Sequence, residues 1–348
     1  MKNNVASHAF FVMVRNYLTD FLPRTKILSP HTVQAARDSL NLLMDYCSDI
    51  CQIPLSQIDF DTVGNTAFIS AFLDWLKEKR NCGDTTLNQR LSCIRGFFRF
   101  AACEDVAYVS LYQSLLVIPQ RKIPKNNVIE FMSEEAMKTV LNSPDSNKRI
   151  GFRDAFYMSL MYDSAARTSE LRSLTVKDMV DGKDPYIFIY GKGRKKRCIP
   201  LMTKTMEMYR QYIKHFHAAS PPDNYLFYTM HNGEKFSMSA DNIAKFIARY
   251  ANQARQVCHE VPVRVHPHMF RRSRAMHLYR NGMPLALLSE FLGHENPETT
   301  LIYASADIEM KRKAIEKASS HLVLPDTHTA APIWENDDEI IRKLYGLR

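Results

Sequence analysis

The stretch F-L-G-H-E-N-P-E-T-T-L-I-Y, residues 291–303, places His294 nine positions before Tyr303. Gly293 is the residue type that most often ends a helix in the left-handed conformation. The Asn-Pro pair that follows is typical of an N-cap and the first position of a new helix. The stretch therefore predicts two helices joined by a tight turn, with the tyrosine near the end of the second. Taken alone, such a tyrosine is usually a packing residue.

A group of histidines and arginines precedes this stretch in H-P-H-M-F-R-R, residues 266–272. The proline sets the entry of a helix, so His268 and Arg271 fall at positions i and i+3 on one face of its first turn. Backbone N–H groups and the helix dipole favour an anion at that end of a helix. Arg272 is a further candidate for a phosphate contact, whereas His266 precedes the helix and is interpreted as structural.

The strongest β signal is D-P-Y-I-F-I-Y-G-K-G-R-K-K-R-C-I-P-L, residues 184–201. The β-rich run Tyr186–Tyr190, a Gly-Lys-Gly turn and a short second strand predict a hairpin. Lys192 lies between two glycines, so this loop can approach a phosphate closely. A basic turn that is simply exposed to solvent is the alternative. Two further basic residues of the loop are candidate DNA contacts, Arg194 and Lys195.

Arg167 lies in D-S-A-A-R-T-S-E-L, residues 163–171, at the start of a predicted helix among small and apolar residues. A guanidinium in such surroundings needs a partner of opposite charge. Glu170, three residues further on, and an external anion are both possible partners, and the sequence leaves the choice open.

The first 116 residues predict a helical domain. Ser29 and Pro30 are typical of an N-cap and a first helical position, and another helix follows Asp84. The basic residues of this later helix lie off its apolar stripe, which suits either contact with phosphates or a solvated face. These candidate DNA contacts are Arg90, Arg95 and Arg99.

Residues 117–128, V-I-P-Q-R-K-I-P-K-N-N-V, predict a basic linker, because two prolines and two asparagines disfavour regular structure. Its candidate DNA contacts are Arg121, Lys122 and Lys125. Residues 129–318 predict a second domain, mostly helical around a small β-sheet, whose first helix is capped by Ser133. Residues 319–348 read as a loose tail that ends in a short amphipathic helix.

Composition narrows the classes of partner. The chain has 348 residues, a formal net charge of +9 and a pI near 9.1, which favours nucleic acid or an anionic membrane surface. No apolar run approaches the roughly 18–20 residues that a membrane-spanning helix needs, and the N-terminus does not read as a signal peptide. The seven cysteines are scattered without zinc-binding spacing, which predicts a reducing, cytoplasmic compartment.

Two arginines, a lysine, two histidines and a tyrosine are the groups that metal-free phosphoryl transfer requires. Attack on a phosphodiester builds negative charge on its non-bridging oxygens, which arginines can offset. A phenol has a pKa near 10, so only about 0.1% is ionised at neutral pH, and it needs a cationic field or a base. The leaving oxygen needs a proton, which a lysine or histidine can supply.

The order of these motifs resembles the tyrosine recombinase, or phage integrase-like, family. A-A-R-T-S-E-L matches the family's first arginine box, and G-K-G-R-K-K-R-C-I-P-L is similar to its lysine loop. P-H-M-F-R-R-S-R matches the His-x-x-Arg box, and L-G-H-E-N-P-E-T-T-L-I-Y matches the final histidine and the tyrosine at the family's interval. The resemblance covers roughly residues 8–318. It implies a mainly α-helical protein, with a helical core-binding domain before the catalytic domain.

The resemblance also implies a mechanism, in which the tyrosine forms a 3′-phosphotyrosyl bond. The implied partners are double-stranded DNA with paired recombination sites and a homotetramer that acts through a Holliday junction, without a metal or ATP. The implied catalytic residues are Arg167, Lys192, His268, Arg271, His294 and Tyr303.

Two positions depart from the family pattern. Alanine replaces the usual glycine in S-A-A-R, and we expect an alanine to be tolerated there on a helix. Arg272 stands where the family often has histidine, which could add a phosphate contact.

The biological role remains open between integration or excision of a mobile element and Xer-like resolution or DNA inversion. Rival classes are a type IB topoisomerase, a non-catalytic DNA-binding regulator, and a metal-dependent nuclease suggested by H-P-H alone. The tail could dock on a neighbouring protomer or pack on its own, and an accessory protein could take part.

Overall fold

The computed structural model of the chain describes residues 2–123, 129–191, 195–218, 221–294, 296–306, 312, 315–316 and 338–346. The fold is mainly α-helical with a small antiparallel sheet, as the sequence predicts. It divides into two compact units, Met1–Lys125 and Asn126–Arg348. The division falls inside the stretch 117–128 that the sequence marks as a linker.

The described part of the first unit contains helices and connecting turns but no β-strand. The predicted cap at Ser29 is confirmed, since its side chain accepts a hydrogen bond from the N–H of Thr32 at 3.3 Å. Short 3₁₀ turns lie at Leu55–Gln57 and Val106–Tyr108, and π-helical segments, Tyr17–Thr25 and Tyr46–Ile50, extend the first two helices. The α-helices are α1 (Lys2–Asn16), α2 (Pro30–Asp45), α3 (Phe60–Val63), α4 (Thr66–Arg80), α5 (Asp84–Glu104) and α6 (Val109–Leu116).

Helix α5 supplies much of the core of this unit. The apolar stripe predicted from its sequence is buried, and the two phenylalanines of this stripe, Phe97 and Phe98, pack against Phe60. Burial of such large apolar side chains is the main stabilising term of a small helical unit. The buried stripe consists of Leu87, Leu91, Ile94, Phe97 and Phe98.

The second unit combines helices with two small sheets. Its α-helices are α7 (Glu134–Leu141), α8 (Arg149–Ser164), α9 (Thr168–Ser173), α10 (Thr203–Phe216), α11 (Ala240–Arg255), α12 (Pro267–Arg280), α13 (Leu285–Leu292), α14 (Glu298–Ala306) and α15 (Asp338–Leu344). Its strands are β1 (Met179–Val180), β2 (Tyr186–Tyr190), β3 (Lys196–Pro200), β4 (Tyr228–His231) and β5 (Glu234–Ser237). The cap predicted at Ser133 is confirmed by a hydrogen bond from the N–H of Ala136.

The predicted hairpin is present as β2 and β3, which pair with β1 in an antiparallel sheet of order β1-β2-β3. A second hairpin, β4–β5, was not among the predicted elements. Its turn is Asn232-Gly233, both with positive φ, and Asn-Gly is the strongest short-range signal for a hairpin. The strands themselves are short and polar, so their composition alone does not suggest β structure.

A buried carboxylate fixes the elements that surround the site. Asp163, near the end of α8, accepts a hydrogen bond from the N–H of Met202 at 2.8 Å, just before α10. Its other oxygen accepts from Nη2 of Arg274 on α12 at 3.2 Å. The segment that precedes Arg167 is thereby tied to the helix that carries the His-x-x-Arg motif.

The part of the chain that the structure describes contains no helix that is both long and apolar enough to cross a membrane.

Candidate active site

Arg167 lies between α8 and α9, as the N-cap residue of α9. Its Nη1 donates to Oε1 of Glu170 at 2.8 Å, and its backbone N–H donates to Oε2 at 2.8 Å. The internal ion pair that the sequence left open is therefore present. The arginine side chain is still 39% exposed, so the guanidinium can also face an external anion.

Glu170 carries a second arginine, which the sequence did not identify. Arg197 on β3 donates from Nη1 to Oε1 at 3.1 Å and from Nη2 to Oε2 at 2.6 Å. Burial would raise the pKa of the Glu170 carboxyl, but the hydrogen bond and charge of Arg197, with those of Arg167, hold it below its usual value. The carboxylate therefore stays ionised and orders both guanidinium groups.

Arg271 is the deeply buried cation of the site, with 2% of its surface exposed. Its Nη1 donates to the carbonyl of Ala165 at 2.8 Å, and its Nη2 donates to the carbonyl of Leu292 at 2.6 Å. Burial, followed by the charge of Arg167, lowers the pKa of the guanidinium to about 10. Arg271 thus remains a cation at neutral pH and joins the ends of α8 and α13.

The conformation of Ala165 corrects one expectation. This residue does not lie on a helix but ends α8 in the left-handed conformation, with φ 47° and ψ 27°. Glycine adopts that conformation without steric cost, which explains why glycine is usual at this position in the family that the sequence resembles. The alanine conformation also sets the carbonyl that accepts from Arg271.

His268 occupies the first turn of α12, as predicted. Desolvation of the ring, followed by the charges of Arg272 and Arg271, lowers its pKa to about 4. The imidazole is therefore neutral at physiological pH and can donate one hydrogen bond and accept another.

The turn before His294 has the predicted geometry. Gly293 ends α13 with φ 62°, and the N–H of His294 donates to the carbonyl of Ser289 at 3.1 Å. The predicted cap at Asn296 is also formed, because its Oδ1 accepts from the N–H of Glu298 at 2.9 Å. This turn reverses the chain so that the first turn of α14 lies beside the histidine.

Thr300 on α14 orients the imidazole of His294. Its Oγ1 lies 2.8 Å from Nδ1, and the threonine is buried. Desolvation, followed by the charges of Arg271 and Arg167, lowers the pKa of His294 to about 4. If the hydroxyl donates to Nδ1, the proton of the neutral ring is on Nε2. Thr300 was not identified from the sequence, because only the folded turn brings it to the histidine.

Tyr303 is 3% exposed and packs in an apolar cluster. Burial raises the pKa of its phenol, and the charges of Arg271 and Arg272 oppose that rise. The other buried members of the cluster are Ala165, Ala275, Met276, Leu288 and Leu292. The tyrosine therefore lies within the field of the cations but is covered by apolar side chains.

A cleft of about 950 Å³ opens between the β2–β3 hairpin and the turn after α13. Its volume falls in the range of ligand-binding sites, and its lining is rich in cations. Basic lining residues include Arg167, Lys195, Lys196 and Arg197, with His294 on the opposite wall. Such a lining can bind a phosphodiester, because the positive charges offset those of its oxygens.

The predicted catalytic residue Lys192 and the predicted DNA contacts Lys125 and Arg194 lie outside the described residues. Among the others, Lys195 lines the cleft, and Arg272 lies on α12 one helical turn after His268. Arg99 and Lys122 are exposed on the first unit.

The remaining candidate DNA contacts of the first unit have internal partners. Arg90 donates to Oγ of Ser39 at 3.1 Å, and Arg121 donates to Asp74 at 2.8 Å. Arg95 donates to backbone carbonyls at the end of α6, including two hydrogen bonds of 3.0 Å to Leu115. These bonds favour structural roles, so the assignment of the three arginines to DNA binding stays a prediction.

Comparison with known families agrees with this arrangement. The Phage integrase family matches residues 130–310, and the N-terminal SAM-like domain of phage integrases matches residues 16–105. The chain belongs to the phage integrase family, whose members are enzymes that transfer DNA strands.

Its curated relatives are named as integrases and recombinases. The chain is 27% identical to the integrase/recombinase y4rC of Sinorhizobium fredii over 89% of this chain and 91% of that protein. It is 26% identical to the tyrosine recombinase XerC of Chlamydia caviae over 87% and 97% of the two chains. Both similarities extend over the helical first unit as well as the second.

Solved structures with the same fold include two recombinase–DNA complexes. The XerH site-specific recombinase in a post-cleavage complex with palindromic difH aligns with a TM-score of 0.65 and 20% identity, covering 86% of this chain and 83% of that one. The Tn1549 transposon integrase in complex with transposon right end DNA aligns with a TM-score of 0.63 and 19% identity, covering 88% and 99%. At these identities the likeness concerns the fold.

Proposed function

We propose that this protein is a site-specific recombinase that cleaves and rejoins duplex DNA through a 3′-phosphotyrosyl intermediate. The observation that carries the proposal is that Arg167 and His294 line one cationic cleft, while the buried Arg271 binds the backbone close to each of them and its charge acts on the phenol of Tyr303. These four residues come from four separate elements. Packing of an apolar core does not require such polar side chains to lie near one another, which favours a functional reason for their proximity. A cleft of this kind suits a phosphodiester, which membership of the family also favours.

The proposed chemistry is an exchange of one phosphoester bond for another. The phenolic oxygen of Tyr303 attacks the phosphorus, its proton passes to a base, and the bond to the 5′ oxygen breaks. Neutral His268 and His294 are the candidate bases, and Lys192 is the candidate donor of a proton to the 5′ oxygen. Arg167 and Arg271 offset the charge that develops on the non-bridging oxygens.

The reverse reaction rejoins DNA when a 5′ hydroxyl attacks the phosphotyrosyl bond. That bond retains the energy of the broken phosphodiester, so the proposed reaction needs neither ATP nor a metal ion. Because Tyr303 is buried, its hydroxyl has to become accessible before it can attack. We propose that assembly on paired DNA sites, as a homotetramer passing through a Holliday junction, exposes it, and that the C-terminal tail docks on a neighbouring protomer.

The proposed biological role is integration or excision of a mobile element. The transposon integrase among the structural neighbours supports it. Resolution or inversion by the same chemistry is the alternative, favoured by curated relatives that carry the name XerC or XerD. An accessory protein is compatible with either role. The scattered free cysteines support a reducing, cytoplasmic compartment for the reaction.

Replacement of the tyrosine tests the proposal directly. The full chain would be incubated with a randomised pool of nicked duplexes, in which a short 5′ fragment diffuses away after cleavage and traps the covalent protein–DNA adduct. We expect a detergent-resistant adduct for the wild type in the presence of EDTA, and none for Tyr303→Phe, which lacks the nucleophilic oxygen. Tyr279→Phe is the matched control, because Tyr279 packs against the same apolar cluster.

An adduct that persists in Tyr303→Phe would show that another residue is the nucleophile. The trapped duplexes can be sequenced to define a cleavage site for kinetic work. Two copies of that site in one DNA molecule then separate the rival classes. A recombinase exchanges strands between the copies, whereas a type IB topoisomerase only relaxes supercoils.

A further inference from the structure

Arg197 stands at the junction of three parts of the site. It lies on β3, the strand that leads out of the predicted lysine loop, and its side chain is 12% exposed. The hairpin is closed beside it by a hydrogen bond of 2.9 Å from the N–H of Gly191 to the carbonyl of Lys195. The position of this strand therefore fixes Lys195, which lines the cleft.

The first contact of Arg197 is with the carboxylate that also holds Arg167. Both oxygens of Glu170 accept from Arg197, and both also accept from Arg167. A bidentate arginine–carboxylate pair fixes direction as well as distance. Because Glu170 is 5% exposed, it has little access to water that could replace a lost partner. The orientation of Arg167 consequently depends on Arg197.

The second contact is with the turn that carries His294. A methyl group on Gly293 would lie 3.0 Å from Nη1 and 3.2 Å from Cδ of Arg197, so the arginine rests directly against the backbone of this glycine. Gly293 immediately precedes the histidine. The same guanidinium that orders Arg167 therefore also supports the turn on the opposite wall of the cleft.

We propose that Arg197 is a positioning residue of the phosphate site, which holds Arg167, the paired strands β2 and β3 and the His294 turn in one geometry. The inference rests on the proposed phosphotyrosyl chemistry, because it gives these three groups a common substrate. Arg197 acts through Glu170 and Gly293 rather than on the reacting atoms. Its charge has a second effect, because after desolvation, Arg271 and Arg167 it is a further cause of the low pKa of His294.

Two variants separate the geometry of Arg197 from its charge. Arg197→Gln removes both, whereas Arg197→Lys keeps the charge but cannot form the bidentate pair. The matched control is Arg210→Gln, since Arg210 makes a bidentate pair with Asp181 at 2.7 and 2.9 Å on the surface and does not line the cleft. Circular dichroism and affinity for an uncleavable duplex verify that each variant is folded.

We expect Arg197→Gln to slow single-turnover cleavage of a duplex that carries the cleavage site recovered from the randomised pool. The expected decrease is about 100-fold, because small misplacements of positioned groups have effects of that order. Duplex affinity should fall far less than the rate, because Arg197 is one of several cations that line the cleft. The pKa of His294, followed by NMR of labelled histidines without DNA, should rise above about 4. Arg197→Lys should restore that pKa while cleavage stays slow, and Arg210→Gln should match the wild type in every measurement.

Cleavage by Arg197→Gln at the wild-type rate would overturn the inference. Full recovery of the rate in Arg197→Lys would do so too, because charge alone would then suffice. An unfolded Arg197→Gln protein leaves the decision to Arg197→Lys. If the wild type forms no adduct with the randomised pool, the proposed function fails and the positioning role fails with it, whatever the NMR titration shows. A wild-type adduct with an insensitive Arg197→Gln variant rejects the positioning role alone.

Discussion

At the scale of single residues, the site is a group of cations held close together around one carboxylate, that of Glu170. The buried guanidinium of Arg271 lowers the pKa of both His268 and His294, after desolvation of each ring. Neutral histidines reduce the repulsion among these cations, and the carboxylate of Glu170 offsets part of it. A phosphate in the cleft would meet a lining with more basic than acidic side chains, so electrostatic complementarity favours its binding.

This arrangement predicts that acid destabilises the free protein. The pKa values of His268 and His294 lie near 4 in the folded state and near 6.5 when unfolded. As the pH falls from about 6.5 to about 4, the unfolded chain therefore binds protons that the folded protein does not, and the free energy of unfolding decreases. His294 is only partly buried, so solvent screening limits its share to about 1 kcal/mol.

Urea denaturation between pH 7 and pH 4.5 measures this effect. His294→Gln should flatten the dependence of the unfolding free energy on pH, whereas replacement of the exposed His259 by glutamine should leave it unchanged. Inorganic sulfate should stabilise the wild type more at low pH, because protonated histidines bind the anion. Identical pH dependence in His294→Gln and the wild type would contradict the proposed charge environment.

At the scale of elements, the site is built from helix ends. The carbonyl of Ala165 after α8 and that of Leu292 at the end of α13 both accept from Arg271. Carbonyl groups in the last turn of a helix lack partners within the helix and carry partial negative charge, so a cation stabilises them. Both helices end at a residue with positive φ, Ala165 or Gly293, which turns the chain towards the cleft. The backbone conformation at these two residues thus controls the placement of Arg167 and His294.

Two glycines allow this to be tested. Gly293→Ala and Gly282→Ala both place a methyl group at positive φ, at 62° and 91°, which should lower the free energy of unfolding by about 1 kcal/mol in each case. Only the methyl on Gly293 meets a neighbour, the side chain of Arg197, whereas nothing lies within 4 Å of the methyl on Gly282. We expect cleavage of a trapped duplex to fall about 10-fold or more in Gly293→Ala and to stay at the wild-type rate in Gly282→Ala. Equal cleavage rates for the two variants would show that the conformation of the His294 turn does not affect catalysis.

The elements also show what local sequence could predict. The helix starts at Ser29, Ser133 and Asn296 and the helix end at Gly293 were predicted correctly, because caps are local signals. The β4–β5 hairpin carried a local signal in Asn232-Gly233 that its polar strands obscured. The left-handed Ala165 had no such signal, since alanine rarely takes that conformation. Arg197 and Thr300 could not be identified, because their roles arise from contacts with Glu170 and His294 that only folding creates.

At the scale of the whole molecule, each unit has its own apolar core. One core lies between Phe10 and Ile118 in the sequence, and the main core of the other lies between Met132 and Phe270. Both cores consist of hydrophobic side chains, so the net charge of +9 lies outside them. Exposed cations neutralise DNA phosphates and release counterions, so affinity for any duplex should fall steeply with salt.

The cations of α5 provide a test of which charges serve this purpose. Arg99 is exposed, whereas Arg95 donates to backbone carbonyls at the end of α6, including that of Leu116 at 3.2 Å. Arg99→Gln should therefore reduce the slope of log Kd against log salt by about 1 without changing the free energy of unfolding. Arg95→Gln should leave the slope unchanged but lower the free energy of unfolding by about 2 kcal/mol, because several backbone carbonyls, that of Leu115 part-buried, lose a charged donor. Fluorescence anisotropy with a random-sequence duplex at about 50 to 200 mM salt measures the slope. If Arg95→Gln lowers the slope and Arg99→Gln does not, the carbonyl contacts of Arg95 give way when DNA binds, and α6 must shift its end to release the guanidinium.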